Sequence, residues 1–393
     1  MKCKLLDICS FRKGKIDVEN LNTKNYISTE NMLPNKCGIT DASSLPSASL
    51  VQEYKKGDVL VSNIRPYFKK IWQAKYNGGC SNDVLVFVPK SNTDRNFLYY
   101  VLANDDFFTY SMATSKGTKM PRGDKTSIMQ YEVPMFDLNM QNKIASILKS
   151  LDEKIEINNA INNNLEQQAK SIFKSWFVNF DPFGGEQPSE MQLIPLKDLC
   201  KVITKGTTPT TLGKPFTSSG INFIKAESIL NNHSIDNGKF AYIDEETNMM
   251  LKRSIIMAND IVFTIAGTLG RFALVDESIL PANTNQAVAI IRPDTTKVTP
   301  SYLYSFFIGN WHNDYYSKRV QQAVQANLSL TTIKSLPIPV MNEDEMNKYN
   351  ELVSPLFALM KSNEAENRTL AQIRDNLLPK LMSGELDISD IDL

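Results

Sequence analysis

The feature that most constrains this chain is that its second half restates its first in the same order. Leu5-x-Asp7-Ile8-Cys9 returns as Leu196-x-Asp198-Leu199-Cys200, and Lys13-Gly14 returns as Lys205-Gly206. Gly57-Asp58-Val59-Leu60 returns as Asn259-Asp260-Ile261-Val262, and Asn82-Asp83 before the run VLVFV returns as Asn285-Gln286 before AVAII. Phe97-Leu98-Tyr99 matches Tyr302-Leu303-Tyr304, and Ile128 through Pro134 matches Ile333 through Pro339. The offset drifts from 191 to 205 without a jump, as expected for two copies of one unit that differ by small loop insertions.

Each copy has two parts. Residues 1–137 and 190–341 mix short apolar runs with Gly, Pro, Asn and Thr punctuation, which reads as strands and loops with a few short helices. The second part of each copy is helical. From Asn139 to Phe177 there is no Gly or Pro, and two runs, Ile144, Leu148, Leu151, Ile155 and then Leu165, Ala169, Ile172, Trp176, each advance in steps of four and three. That is a coiled-coil-like seam on a helix of about 40 residues, or about 60 Å. The second copy repeats it with Tyr349, Val353, Leu356, Met360, Leu370, Leu377 and Leu381, and Pro355 and Pro379 are expected to trim this helix or mark its first turn and its end. The expected boundaries are an α/β domain at 1–137, a long helix at 138–180, a linker at 181–189, a second α/β domain at 190–341, a second long helix at 342–383 and a tail at 384–393.

The same polar interruption falls within both seams: Asn158 aligns with Asn363, and Asn162 with Asn367. A buried Asn lowers stability but fixes register. Matching asparagines on two helices of one chain suggest antiparallel pairing about a pseudo-twofold axis, the alternative being that each helix packs on its own domain or on a partner. The helix ends are apolar and aromatic: Phe173, Trp176 and Phe177 in KSIFKSWFVNFDPF, and Leu378 and Leu381 in LLPKLMSGEL. They are candidate docking residues for a partner; packing on the chain's own domains is the other reading.

Catalytic motifs are missing. Gly213-Lys214 is followed by Pro215, so there is no phosphate loop of the motor type. Asp181-Pro182-Phe183 and Gly267-Thr268-Leu269-Gly270 match neither a methyltransferase substrate loop nor a dinucleotide turn. The five cysteines (3, 9, 37, 80 and 200) never form C-x-x-C, and His233 and His312 are the only histidines, so no metal site and no catalytic residue is expected. Adjacent acids such as Asp105-Asp106 and Glu245-Glu246 read as solvated. No apolar run approaches the ~20 residues of a membrane span, and Asp7 interrupts the opening segment where a signal sequence is apolar, so a cytoplasmic chain without a membrane partner is expected.

With 43 basic and 43 acidic residues, no global field draws in nucleic acid, and any such binding must come from local patches. Candidates in the first copy are Arg65, Lys69, Asn82 and the basic loop with Lys116, Lys119 and Arg122. Those in the second are Lys205, Thr207, Thr268, Arg271, Asn285 and Gln286, with Arg271 at the place of Lys69. Such side chains grip phosphates, and Arg, Asn and Gln also read base edges. Solvated loops of a repeated fold are the alternative.

Two α/β halves, each followed by a long helix, together with LDEKIEINNAINNNLE at Leu151–Glu166, KSWFVNFDPF at Lys174–Phe183 and LLPKLMSGEL at Leu377–Leu386, resemble the specificity subunits of type I restriction-modification systems across essentially the whole chain. Those subunits often carry Glu-Gln at the helix start, whereas Met140-Gln141 and Glu345-Met346 each keep half of it, which leaves the helix-start contacts open. The resemblance implies a mixed α+β architecture of two target recognition domains in pseudo-twofold repeat, joined by two long antiparallel coiled-coil helices. Each domain would read one part of a split double-stranded DNA target, and the helices would space them. Two adenine-N6 methyltransferase subunits and motor-nuclease subunits would be the partners. S-adenosylmethionine and ATP with Mg²⁺ would then belong to those partners, with no cofactor in this chain. A repeat scaffold of another defence or interaction complex, without base readout, is the alternative.

Overall fold

The apolar runs shared by the two halves are central strands of four-stranded antiparallel sheets. In the computed structural model, which describes all residues except 1, 118, 313–314, 316–326, 390 and 392–393, the chain divides into two compact units. One comprises Met1–Ile157 and Glu366–Leu393, the other Asn158–Ala365.

In the first unit the sheet order is Cys9–Phe11, Val84–Pro89, Val59–Ser62, Ile71–Gln73. Its central strands are almost wholly apolar because both faces are covered, and strand alternation sorts the residues between two cores. Val59, Val61, Ile71, Leu85 and Phe87 pack on the helices Arg95–Ala103 and Asp105–Ala113 through Phe97, Val101, Phe107 and Phe108. Leu60, Trp72, Val84 and Val86 face Ile27, Met32, Tyr54 and Cys80. Those four residues lie in or beside a second sheet, ordered Lys15–Asp17, Leu50–Tyr54, Gly78–Cys80, Tyr26–Ile27.

The second unit repeats the plan, with sheet order Cys200–Lys205, Val288–Pro293, Ile261–Thr264, Phe272–Leu274. Ile261, Phe263, Ala289 and Ile291 enter one core and Val262, Ala273, Val288 and Ile290 the other. A short antiparallel pair closes each copy, Lys2–Lys4 on Glu132–Pro134 and Gln192–Pro195 on Pro337–Val340.

The repeat extends to single hydrogen bonds. Gly57 and Asn259 both hold positive φ, at 90° and 65°, and the next residue is a buried aspartate in each copy. Asp58 accepts from the Lys55 amide and Asp260 from the Met257 amide, both at 2.8 Å. Each carboxylate then takes a two-pronged arginine from a different element: Arg12 for Asp58, and Arg292, at 2.8 and 2.7 Å, for Asp260. A buried carboxylate needs such a partner, and the two copies supply it from different places.

The long helices run Leu138–Lys174, ending in one wider turn at Ser175–Asn179, and Glu343–Ser383. In the first unit Ile144, Ala145 and Leu148 pack with Leu378, Leu381 and Met382, and Asp152 accepts from Arg374 at 2.7 Å and from the Tyr100 hydroxyl at 2.7 Å. In the second, Phe173 and Trp176 pack on Tyr349, and Asn162 contacts Asn363. Within each unit the paired residue numbers rise on one helix as they fall on the other, so the pairing is antiparallel. Pro355 and Pro379 neither trim nor end the second helix, contrary to expectation. Both lie on its exposed side, and the carbonyls four residues back belong to exposed Glu351 and Asp375, so neither is left without an amide in a buried place.

The helix starts diverge. Gln141, 3% exposed, accepts from the Asp94 amide and donates to the carbonyls of Asn92 and Phe136, locking the first helix to its domain. Its counterpart Met346 joins the apolar core, and the polar link passes to Thr299 Oγ1 and Asn350 at 2.7 Å. Among the described residues no helix is long and apolar enough to cross a membrane.

Candidate nucleic-acid interface

In the first unit the strand Val59–Ser62 runs out into Asn63, Ile64 and Arg65, and the basic loop folds back on them. Ile64 bridges Arg122, the Arg65 amide donates to the Pro121 carbonyl at 2.8 Å, and Gly123 donates to the Asn63 carbonyl. Lys116 and Arg122 pair across the loop, and Asp83 ties in through its carbonyl to the Asn63 amide and its carboxylate to Arg122 at 3.2 Å. Arg65, Asn82, Lys116, Lys119 and Arg122 are all exposed and gather at this edge; Thr118 in the same loop lies outside the described residues.

Several of these cations already have a carboxylate. Lys116 holds Asp124 at 2.7 Å, and this hydrogen bond, with those of Ser127, keeps the Asp124 carboxyl down at about 2. Lys69 shares Asp105 with Lys36, each at 2.8 Å. Asp105-Asp106, expected to be merely solvated, thus includes an anchor. Exposed pairs of this kind are weak, so they position a cation while leaving it able to exchange toward a phosphate.

In the second unit, Gly206 donates to the Asn285 carbonyl at 3.1 Å, so the turn after Cys200–Lys205 meets the turn before Val288–Pro293. A Cβ on Gly206 would fall 1.8 Å from the Thr284 carbonyl oxygen, which makes glycine necessary for this approach. Thr208 hydrogen-bonds Gln286, and Arg253 reaches the Lys205 carbonyl and Thr207 Oγ1, both at 3.4 Å. Lys205, Thr207, Asn285 and Gln286 therefore form one polar cluster, with the Asn285 side chain spent on the Ala287 amide and Gln286 exposed. Arg253 is a member that the sequence signals only through the short basic run Lys252-Arg253.

Thr268 and Arg271 occupy the neighbouring hairpin loop, but Arg271 turns away from this cluster. Its guanidinium donates to the Ile229 carbonyl at 3.2 Å and lines a cleft of about 520 Å³ with Asn163, Glu166, Lys170 and His233. His233 stacks on Phe272 at 4.1 Å, and burial lowers its pKa. Lys69 and Arg271, alike in sequence, thus do different things: one is a partly exposed cation on a carboxylate, the other a side chain committed to a backbone carbonyl.

The apolar helix ends are not exposed docking residues, as one reading had them. Phe173, Trp176 and Phe177 are buried against Tyr302 and Tyr349, and Leu378 and Leu381 lie in the core of the first unit. The physical reason is that each helix end covers the open face of the other copy's core, the first helix ending in the core of the second unit and the second helix in that of the first. Of the asparagines, Asn162 donates to the Met360 carbonyl at 3.2 Å and accepts from Asn363 at 2.8 Å. Asn158 is fully buried and Asn367 half-buried.

One α/β fold carried twice, each copy presenting polar and cationic loops at a sheet edge and delivering a long helix to an antiparallel pair, defines a duplicated recognition protein. The model of the type I restriction modification DNA specificity domain matches residues 1–167 and 188–374, and the chain belongs to that family. It is 26% identical to the type I restriction enzyme HindI specificity subunit of Haemophilus influenzae, over 92% of this chain and 94% of that one. It is 24% identical to the MjaIX specificity subunit of Methanocaldococcus jannaschii, over 77% and 72%. The crystal structure of a type I restriction-modification S subunit from M. genitalium shares the fold, with a TM-score of 0.55 at 16% identity over 99% of this chain and 96% of that one.

Proposed function

We propose that this chain is the specificity subunit of a type I restriction-modification assembly, acting in the cytoplasm without chemistry of its own. Each α/β copy reads one half of a split double-stranded DNA target, and the helix pair sets the spacing of the halves. The first reader uses the edge built from Arg65, Asn82, Lys116, Lys119 and Arg122, and the second the cluster of Lys205, Thr207, Arg253 and Gln286. Two adenine-N6 methyltransferase subunits and the motor-nuclease subunits dock on this chain, and S-adenosylmethionine and ATP with Mg²⁺ serve those partners. The observation that carries the reading is the duplication itself, with the specificity-domain family matching both copies separately. A scaffold that reads no sequence has no need of two loop sets that differ while the sheets beneath them agree.

The test is a single-molecule methylation map of the source genome with and without the gene. Loss of N6-methyladenine at one split motif is expected. If the map does not change while the methyltransferase is expressed, the reading is wrong.

A further inference from the structure

The turn between Val59–Ser62 and Ile71–Gln73 carries two exposed aromatic side chains, and the DNA-reading function above, on which this inference rests, leaves them without a role. Tyr67 is 49% exposed and Phe68 37%, with ring centroids 4.6 Å apart. Exposed paired rings on a short turn are held there against the hydrophobic effect.

The turn is also strained and rigid. Arg65 and Lys69, which flank the ring pair, both have φ of 49°, and Asn35 and Lys36 on the adjoining turn have φ of 56° and 61°. These four are half of the eight non-glycine residues with positive φ among those described. The matching turn of the second copy uses Gly267 and Gly270 at its positive-φ positions. Strain that glycine would relieve, gathered in one place, is a mark of a functional site. The two turns are tied together: Asn35 donates to the Phe68 carbonyl at 2.8 Å and Lys36 to the Lys69 carbonyl at 2.9 Å. Lys36 and Lys69 then clamp Asp105, so the rings stand on a fixed base.

The surroundings are cationic. Arg65, Lys69 and Lys70 adjoin the rings along the chain and Lys36 lies on the tied turn; Lys70 Nζ stands 5.7 Å from the Phe68 centroid while donating to the Thr29 carbonyl, and Asp105 and, near Lys70, Glu30 are the opposing charges. The turn also continues into the candidate DNA edge, since the Arg65 amide donates to Pro121 in the basic loop. Flat exposed rings flanked by cations suit a ligand that offers stacked π-faces between phosphates, which is DNA. We infer that Tyr67 and Phe68 form a wedge that inserts at one base step of the half-site read by the first unit, unstacking it while the exposed Arg65 holds a flanking phosphate. The second copy has Leu269 and Gly270 at these positions, and Leu269 packs against the core of its unit, so the other half-site is not wedged.

The test uses the full chain assembled with its methyltransferase partners, on duplexes carrying the mapped motif with one 2-aminopurine at successive positions. Fluorescence rises at the methylated adenine, because methyltransferases extrude their target base. The wedge adds a second, separate rise at one step of a single half-site. In Tyr67→Ala/Phe68→Ala that second rise vanishes and affinity falls about 10- to 100-fold, as expected for the loss of one or two stacked bases. The rise at the target adenine persists, and Tyr67→Phe keeps both. A wild-type signal confined to the target adenine overturns the wedge, as does a second rise that survives in the double variant. So does a double variant that no longer assembles with the methyltransferase, since the rings then dock protein. A wild-type assembly that leaves every position dark on the motif refutes the DNA-reading function, and the wedge with it.

Discussion

His312 makes the core of the second unit sensitive to acid. Its ring is fully buried among Phe263, Phe272, Phe306 and Phe307, with centroids 5.2 to 6.5 Å away. Burial, with the nearby His233 adding to it, lowers its pKa to about 3. An unfolded histidine titrates near 6.5, so between pH 6.5 and 3 the unfolded chain takes up a proton that the folded chain refuses. Stability is therefore complete above about pH 6.5, declines by about 1.4 kcal/mol per pH unit below it, and levels off below about pH 3. At pH 5 the loss from this residue is roughly 2 kcal/mol, or a fall in Tm of about 4–8 °C for a unit of this size. His312→Phe removes the titration and keeps a ring in an aromatic site. Urea unfolding of both proteins at pH 7 and pH 5, followed by tryptophan fluorescence with Trp176 and Trp311 reporting from this core, gives the double difference. The wild type should lose about 2 kcal/mol more than the variant over this interval. A wild-type-minus-variant difference that is equal at both pH values would refute the reasoning, because every other titrating group is common to the two proteins.

The asparagine pair in the second unit is coupled: Asn162→Leu alone strands the side-chain amide of Asn363, removes the second of the two bonds that the Met360 carbonyl accepts, and costs about 1–3 kcal/mol. Asn162→Leu/Asn363→Leu returns to within about 1 kcal/mol of wild type, since two apolar groups replace two polar ones. Additive losses in a double-mutant unfolding cycle would show that the pair does not act as a unit. Exchanging residues 190–341 for the corresponding segment of another family member should change one half of the methylated motif and leave the other intact. A methylation map in which both halves change would contradict independent readers.

The sheets, the seam and the two-copy plan are legible in the sequence because they rest on periodicity, and periodicity is local. The runs Val84–Val88 and Ala287–Ile291 announce strands covered on both faces, and steps of four and three, from Ile144 to Ile155 and from Leu165 to Trp176, announce a helix with one apolar stripe. Pro355 and Pro379 mislead because a proline's effect depends on which side of the helix its orphaned carbonyl faces, and only packing decides that. The apolar helix ends look like docking residues because their cover, Tyr302 and Tyr349 for one and the Phe97–Phe108 region for the other, comes from distant sequence. Arg253 joins the candidate site through Thr207, 46 residues away along the chain.

By itself the sequence determined that one unit is built twice, that each copy feeds a long helix, and that Asp58 and Asp260 hold matching places in the two copies. Only the tertiary structure decided which cations are committed and which are free to act. Lys69 and Arg271 hold one place in the repeat, yet one meets Asp105 and the other the Ile229 carbonyl. Arg12 and Arg292 fill one role from two different places in the chain. The reason is physical: backbone periodicity is set by neighbours along the chain, whereas a charge is satisfied by whatever the fold brings within about 3 Å of it.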